Sequence, residues 1–201
     1  MKKVLVLSLF VFAVNFCFAQ SVFTGGISLG GVASQMSGDG LAGWDKLGVY
    51  AGGWVHAELS KKIGAQMNIQ FMTKGSRKNA DQDNGDFNTF AFNLTYIEVP
   101  VLATYTLNSW RFGVGPSFGV LLSQEQVSNG FEFEINPPFR SFDLSGCGSI
   151  QASFGDHLGM ELRAYTSIIP IRPAPQVVNP LSFYEQGNYN QVLSLGVVYT
   201  F

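Results

Sequence analysis

The sequence predicts an all-β fold, a single eight-stranded antiparallel up-and-down transmembrane β-barrel. Four observations lead there. The chain is 46% hydrophobic and only 13% charged, against roughly a quarter charged in soluble domains. After the first twenty residues, however, it has no run of about 18 apolar residues that could cross a bilayer as a helix. Eight stretches alternate apolar and polar residues with period two, the period of a strand whose two faces meet different surroundings. The connections between them alternate long and short, as in a meander with loops at one end and turns at the other.

The chain opens on a targeting segment. Met1-Lys2-Lys3 is positive, Val4 to Val14 is apolar, and Cys17-Phe18-Ala19 puts small residues at −3 and −1 before Gln20. This reads as a secretory signal peptide over 1–19, followed by a barrel domain over 20–201. Without Lys2 and Lys3, 10 of the 12 basic residues stand against 14 acidic ones, with no basic block. That excludes nucleic acid as a natural partner. Cys147 is the one cysteine left after Cys17, so no intramolecular disulfide can form.

The eight stretches run over 22–33, 46–60, 62–74, 90–107, 109–122, 141–154, 157–169 and 189–201. Ser60-Lys61-Lys62, Asn108-Ser109 and Gly155-Asp156-His157 are tight turns. Regions 34–45, 75–89, 123–140 and 170–188 are long, polar loops, the last stiffened by Pro170, Pro173, Pro175 and Pro180. Outer-membrane barrels keep short turns on the periplasmic side and long loops outside, with an even strand number.

Parity assigns the faces. In the second stretch Leu47, Val49, Val55 and Leu59 oppose Tyr50, Trp54, His56 and Glu58. In the third, Ile63, Met67, Ile69 and Phe71 oppose Gln66, Asn68 and Gln70. In the fifth, Trp110, Phe112, Val114, Pro116, Phe118 and Val120 oppose Arg111, Gly113, Gly115, Ser117 and Gly119. In the sixth, Phe142, Leu144, Ile150 and Phe154 oppose Asp143, Ser145, Cys147, Ser149 and Gln151. In the seventh, Leu158, Met160 and Leu162 oppose Glu161, Arg163 and Tyr165. The last stretch puts Tyr189, Gln191, Leu193, Leu195, Val197, Tyr199 and Phe201 on a greasy face. The fourth is irregular, because Phe90 and Phe92 share parity with Glu98. Either a bulge shifts the register above Pro100, or these aromatics lie beyond the membrane.

Glu58, Glu98, Arg111, Asp143, Glu161 and Arg163 all fall on the non-lipid face. A charge facing the bilayer midplane costs roughly 2–4 kcal/mol, so this segregation favours a lumen charge network. Eight strands leave a lumen just wide enough for side chains to fill, and inward glycines suit so narrow a barrel. The network is expected to act as a polar plug, the alternative being a narrow passive channel. A soluble lipocalin-like binding barrel is the further alternative, with its faces inverted.

No catalytic constellation is legible. His56 and His157 have no third ligand at metal-site spacing. Ser145 and Ser149 lie in no nucleophile motif, and Gly113-Val114-Gly115-Pro116 sits inside a strand pattern rather than before a helix. The expectation is no enzyme, no cofactor and no metal. The expected partners are outer-membrane lipid, the barrel-insertion machinery that reads a C-terminal aromatic such as Phe201, and another envelope or secretion-system protein meeting the loops.

Tyr96-Ile97-Glu98-Val99-Pro100-Val101-Leu102 resembles the "YLEIPVL" signature of PorT-like outer-membrane β-barrel proteins. Phe112-Gly113-Val114-Gly115-Pro116-Ser117-Phe118-Gly119 resembles the strand that follows it, and Lys74-Gly75 resembles the family's "KG" exit into a loop. The resemblance spans about 21–201. It implies an eight-stranded barrel in the bacterial outer membrane. PorT itself is associated with secretion of exported proteases. One departure stands out: where the family often has a glutamate shortly before the lysine–glycine pair, this chain has Asn68.

Overall fold

The computed structural model describes residues 23–39, 41, 43–80, 85–173 and 187–201. The expected leader, 1–19, lies outside the described residues, as does most of the fourth loop with Pro175 and Pro180. Ten strands are present among the described residues: β1 Phe23–Ser37, β2 Lys46–Glu58, β3 Ile63–Lys78, β4 Phe90–Leu107, β5 Trp110–Ser128, β6 Phe131–Phe133, β7 Phe142–Phe154, β8 Leu158–Ser167, β9 Arg172–Pro173 and β10 Gly187–Thr200. Eight of them pair in the order β1-β2-β3-β4-β5-β7-β8-β10, all antiparallel, and β10 returns to β1. The closing register runs from Gly26 opposite Thr200 to Ser37 opposite Tyr189. Closure leaves no open edge, so every spanning strand has its backbone partners on both sides. No helix among the described residues is long and apolar enough to cross a membrane; the strands make the crossing.

The strands exceed the stretches legible from hydrophobicity. β1 runs to Ser37, β3 to Lys78 and β5 to Ser128. β4, with 18 residues, rises ~45 Å at ~3.3 Å per residue and a tilt of ~40°. The apolar band of such a barrel is only ~25 Å tall. The surplus projects past the bilayer on the loop side, where polar residues pair as readily as apolar ones. β6 folds back on β5 through Asn129 (φ 50°) and Gly130 (φ 83°), the two positive dihedrals of a type I′ hairpin turn.

The fourth strand meets the bulge expectation in part: a register shift does lie above Pro100, without changing the parity of β4. β4 keeps one parity from Phe92 to Thr104, and Phe92, Leu94, Tyr96, Glu98, Leu102 and Thr104 are all buried inside. The register shift occurs on β5 instead: Thr95 pairs with Ser123 but Tyr96 pairs with Leu121, leaving Leu122 extra. The prolines interrupt pairing without shifting register. The β3–β4 ladder lapses at Asn68 and Ile69, opposite Pro100 and Val99, and the β4–β5 ladder lapses opposite Pro116 and Gly115.

The faces are inverted relative to a soluble protein. Leu47 (75% exposed), Val114 (68%) and Leu195 (52%) point outward, while Gln66, Gln70, Lys74, Glu98, Asp143 and Arg163 are buried. A soluble lipocalin-like barrel would carry the opposite distribution, and that reading is set aside. Tyr189 also departs from expectation, being fully buried rather than on the greasy face. Inward glycines create the interior space. A Cβ on Gly196 would meet the Tyr50 hydroxyl, and one on Gly30 would meet the Tyr50 ring.

Candidate functional site

The lumen is built in tiers. Nearest the loops, an apolar cluster of Met36, Phe92, Leu94, Tyr96, Ile135, Phe139 and Ile171 fills the barrel mouth. Ile135 and Phe139 come from the third loop, tied down by Phe139 N–H donating to Gln124 Oε1 (2.9 Å) and Arg140 N–H donating to the Ile171 carbonyl (2.7 Å). Phe92 and Phe139 meet edge-on with centroids 5.3 Å apart. Arg172 lies over both rings, at 5.6 and 5.4 Å, and donates to the Asn136 carbonyl at 3.0 Å.

Beneath this cap sits Lys74. Its Nζ lies 2.5 Å from Glu98 Oε1, 2.9 Å from Asp143 Oδ2 and 4.1 Å from the centroid of Tyr96. Ser117 donates to the other oxygen of Glu98 at 2.8 Å. Asp143 also accepts from Ser145, Ser167 and Asn190. All these groups are buried, so the charges persist only because each is paired and hydrogen-bonded.

The next tier holds Arg163, with Nη2 2.7 Å from Glu161 Oε2 and Nη1 donating to Gln70 Oε1 at 3.0 Å. Gln70 in turn donates to the Tyr165 hydroxyl at 2.8 Å. Tyr50, Met72, Leu102, Cys147, Tyr165, Val32 and Val192 pack around this tier. Toward the short turns, Arg111 lies over the Trp54 ring at 5.9 Å and 3.5 Å from Gln66 Oε1. His56 Nε2 and Thr104 Oγ1 are 3.0 Å apart. Trp54 Nε1, Asn68 Nδ2, Arg111 Nε and Gln151 Oε1 are buried there without a hydrogen-bond partner among the described residues.

The six charges singled out from sequence therefore do not form one network. Glu98 and Asp143 share Lys74, Glu161 pairs with Arg163, and Arg111 feels Glu161 and Glu58 electrostatically without forming an ion pair among the described residues. Glu58 is exposed at the short-turn rim and forms no ion pair among the described residues. Lys74, the best-connected cation, was missed as a lumen residue. Its parity was the available signal, since it continues Gln66, Asn68, Gln70 and Met72 on the inner face. Within the buried lumen Lys74, Arg111 and Arg163 face Glu98, Asp143 and Glu161, three charges of each sign. Gly75 lets β3 pass close to its neighbour: at φ 145°, its Cβ would fall 2.0 Å from the Phe92 carbonyl oxygen.

No group of three or more His, Cys, Asp or Glu among the described residues could hold a metal. His157 is exposed, stacked on Tyr199 with its Nδ1 2.9 Å from the Thr200 carbonyl. In the first loop, burial pushes the Asp39 carboxyl above its ordinary range, opposed by the hydrogen bond that Ser76 Oγ donates to it.

The family model for the outer membrane protein beta-barrel domain matches residues 18–172. The chain belongs to that family. Its fold recurs in the crystal structure of Neisserial surface protein A (NspA), 10% identical, covering 89% of this chain and 97% of that one with a TM-score of 0.56. The attachment invasion locus protein Ail of Yersinia pestis is also similar, at 13% identity, 89% and 98% coverage and a TM-score of 0.47. A second Ail structure, in complex with the heparin analogue sucrose octasulfate, gives 14% identity, 89% and 99% coverage and a TM-score of 0.46. No curated protein matches the chain in sequence. This family member is a small outer-membrane β-barrel.

Proposed function

We propose that this barrel is a filled scaffold that works through its loop-side surface as a structural or binding protein, accessory to another envelope or secretion-system protein. The observation that carries this reading is the apolar cap. Phe92, Phe139, Ile135 and Ile171 close the mouth above a charge-balanced interior, whereas conduction needs a continuous polar path. The Tyr96–Leu102 segment, by its resemblance to PorT-like proteins, supports the secretion-accessory form of the proposal. In this reading 1–19 is a cleaved signal peptide, Phe201 is read by the insertion machinery, and lipid surrounds the apolar belt. The barrel performs no catalysis; hydrolysis of a phospholipid or ester by the refolded protein would overturn that part.

The test has two arms. In planar bilayers the refolded protein is expected to give no stepwise conductance. Gentle crosslinking in intact outer membranes followed by pull-down is expected to return a reproducible envelope partner. A narrow passive channel is the second reading, favoured by the unpartnered polar atoms of the short-turn half. Stepwise openings that change on Arg163→Glu would establish it and refute the filled scaffold.

A further inference from the structure

The outer face changes character near the loop end. On β3, Ile69 and Phe71 give way to Thr73 and, past Gly75, Arg77. On β4, Ile97 gives way to Thr95 and Asn93, and on β5 Leu122 gives way to Ser123 and Glu125. Gln35 and Gln191, hydrogen-bonded at 2.5 Å across β1 and β10, mark the same level. Such a boundary is where hydrocarbon meets headgroups. Just beyond it, Lys46, Arg77, Thr89, Phe90, Asn93 and Val127 line a cavity of about 280 Å³.

Two cations, Lys46 and Arg77, line this cavity. Among the described residues Lys46 Nζ donates one hydrogen bond, to Asn93 Oδ1 at 2.6 Å, of the three it can make. Arg77 is exposed and forms no ion pair or side-chain hydrogen bond among the described residues. Glu125 acts electrostatically on Lys46 but pairs with neither cation. Like charges gathered beside an apolar floor at a headgroup boundary call for an anion between them.

We propose that Lys46 and Arg77 hold a phosphate of an outer-leaflet lipid, with Phe90, Ala91 and Val127 beneath the group that carries it. A phosphomonoester brings a charge of about −1.5 to −2, enough to neutralise both cations. The guanidinium binds such a group bidentately and the ammonium acts as a compact point charge. The proposal rests on the loop end being the outer-leaflet end.

The test is native mass spectrometry of the refolded protein released from micelles containing diphosphorylated lipid A. Each variant is first confirmed as folded by heat-modifiable migration on gels. Wild type and K46R/R77K are expected to retain the lipid, as is the control K61Q/K62Q. K46Q/R77Q is expected to lose retention by about tenfold or more, the scale of losing two charge-assisted hydrogen bonds. Dephosphorylated lipid A is expected not to be retained. Equal retention by K46Q/R77Q, or of the dephosphorylated lipid, would overturn the site. Full displacement by inorganic phosphate would make it a free-phosphate site and overturn the lipid assignment. Loss in K61Q/K62Q instead would place the lipid phosphate at the short-turn rim and overturn the orientation.

Discussion

Replacing Lys74 with methionine removes the best-connected interior charge while keeping an unbranched side chain only one atom shorter. Lys74 Nζ makes charged contacts of 2.5 Å to Glu98 and 2.9 Å to Asp143 and a cation–π contact of 4.1 Å to Tyr96. Hydrogen bonds to charged groups contribute ~1.5–3 kcal/mol each, and a desolvated cation–π contact ~2 kcal/mol. Breaking a buried pair from one side typically costs ~3–5 kcal/mol, because the partner's charge stays buried and uncompensated. Asp143 retains donors from Ser145, Ser167 and Asn190, and Glu98 retains Ser117. That residual pairing sets the expected loss near the lower end, ~3 kcal/mol. Urea unfolding in lipid vesicles, followed by tryptophan fluorescence and heat-modifiable migration, measures it. K74M/E98Q/D143N is expected to recover much of the loss, since a buried ionic set replaced as a whole can be nearly neutral. A loss below ~1 kcal/mol for K74M, the worth of a solvent-exposed pair, would mean that water reaches these groups and would refute the reasoning.

Three further outcomes are expected. Gly119→Ala places a Cβ 2.7 Å from Glu98 Oε1; Glu98 is pinned by Lys74 and Ser117 and cannot yield, so the same titration should show a loss of ~1–3 kcal/mol. Leu195→Arg puts a charge midway along the lipid face of β10 and should cost ~2–4 kcal/mol in vesicles, and a neutral effect would dispute the assignment of the faces. The first loop around Asp39 should lose stability as pH rises. Because burial raises the Asp39 carboxyl above its ordinary value of 3.8, its stabilising contribution is complete below that value and is lost as pH climbs through the raised one. The protection factor of the Leu41 amide, its exchange rate taken relative to the intrinsic rate at each pH, should therefore be higher at pH 4 than at pH 7, and Asp39→Asn should abolish the difference.

The barrel itself was legible because lipid imposes a strict rule on alternate residues. Any charge in the apolar band must point inward, so Arg111, Asp143, Glu161 and Arg163 declared the inner face of three strands. Where the strands leave the bilayer that rule lapses. The pairing of β3 through Lys78 and of β5 through Ser128 was therefore hidden in segments that read as loops. The Asn129-Gly130 pair was a usable hairpin signal within one of them. Lys74 escaped as a lumen residue because it stands beside Gly75, where a strand end was assumed. The aromatics of β4 read as irregular for a related reason. An interior rule of polar-in holds only inside the bilayer, and above it Phe92 and Tyr96 bury inward like any soluble core. The bulge at Leu122 sits in a Leu121-Leu122 run, where two apolar neighbours conceal a change of face. The partners of Lys74 come from β4 and β7, and no spacing along the chain reports which inward charges a closed sheet brings together.

Cys147 offers the most direct test of a filled lumen. The chain has two cysteines, and the other, Cys17, falls in the expected leader 1–19. Cys147 is free, faces inward and is buried in the cluster around Tyr50 and Tyr165. The measurement is labelling of the refolded mature protein in vesicles by a membrane-impermeant maleimide, before and after unfolding in urea. A filled lumen predicts no labelling of the folded barrel and complete labelling once it is unfolded. Rapid labelling of the folded barrel would mean that water runs past Arg163 and Lys74, and would contradict the account.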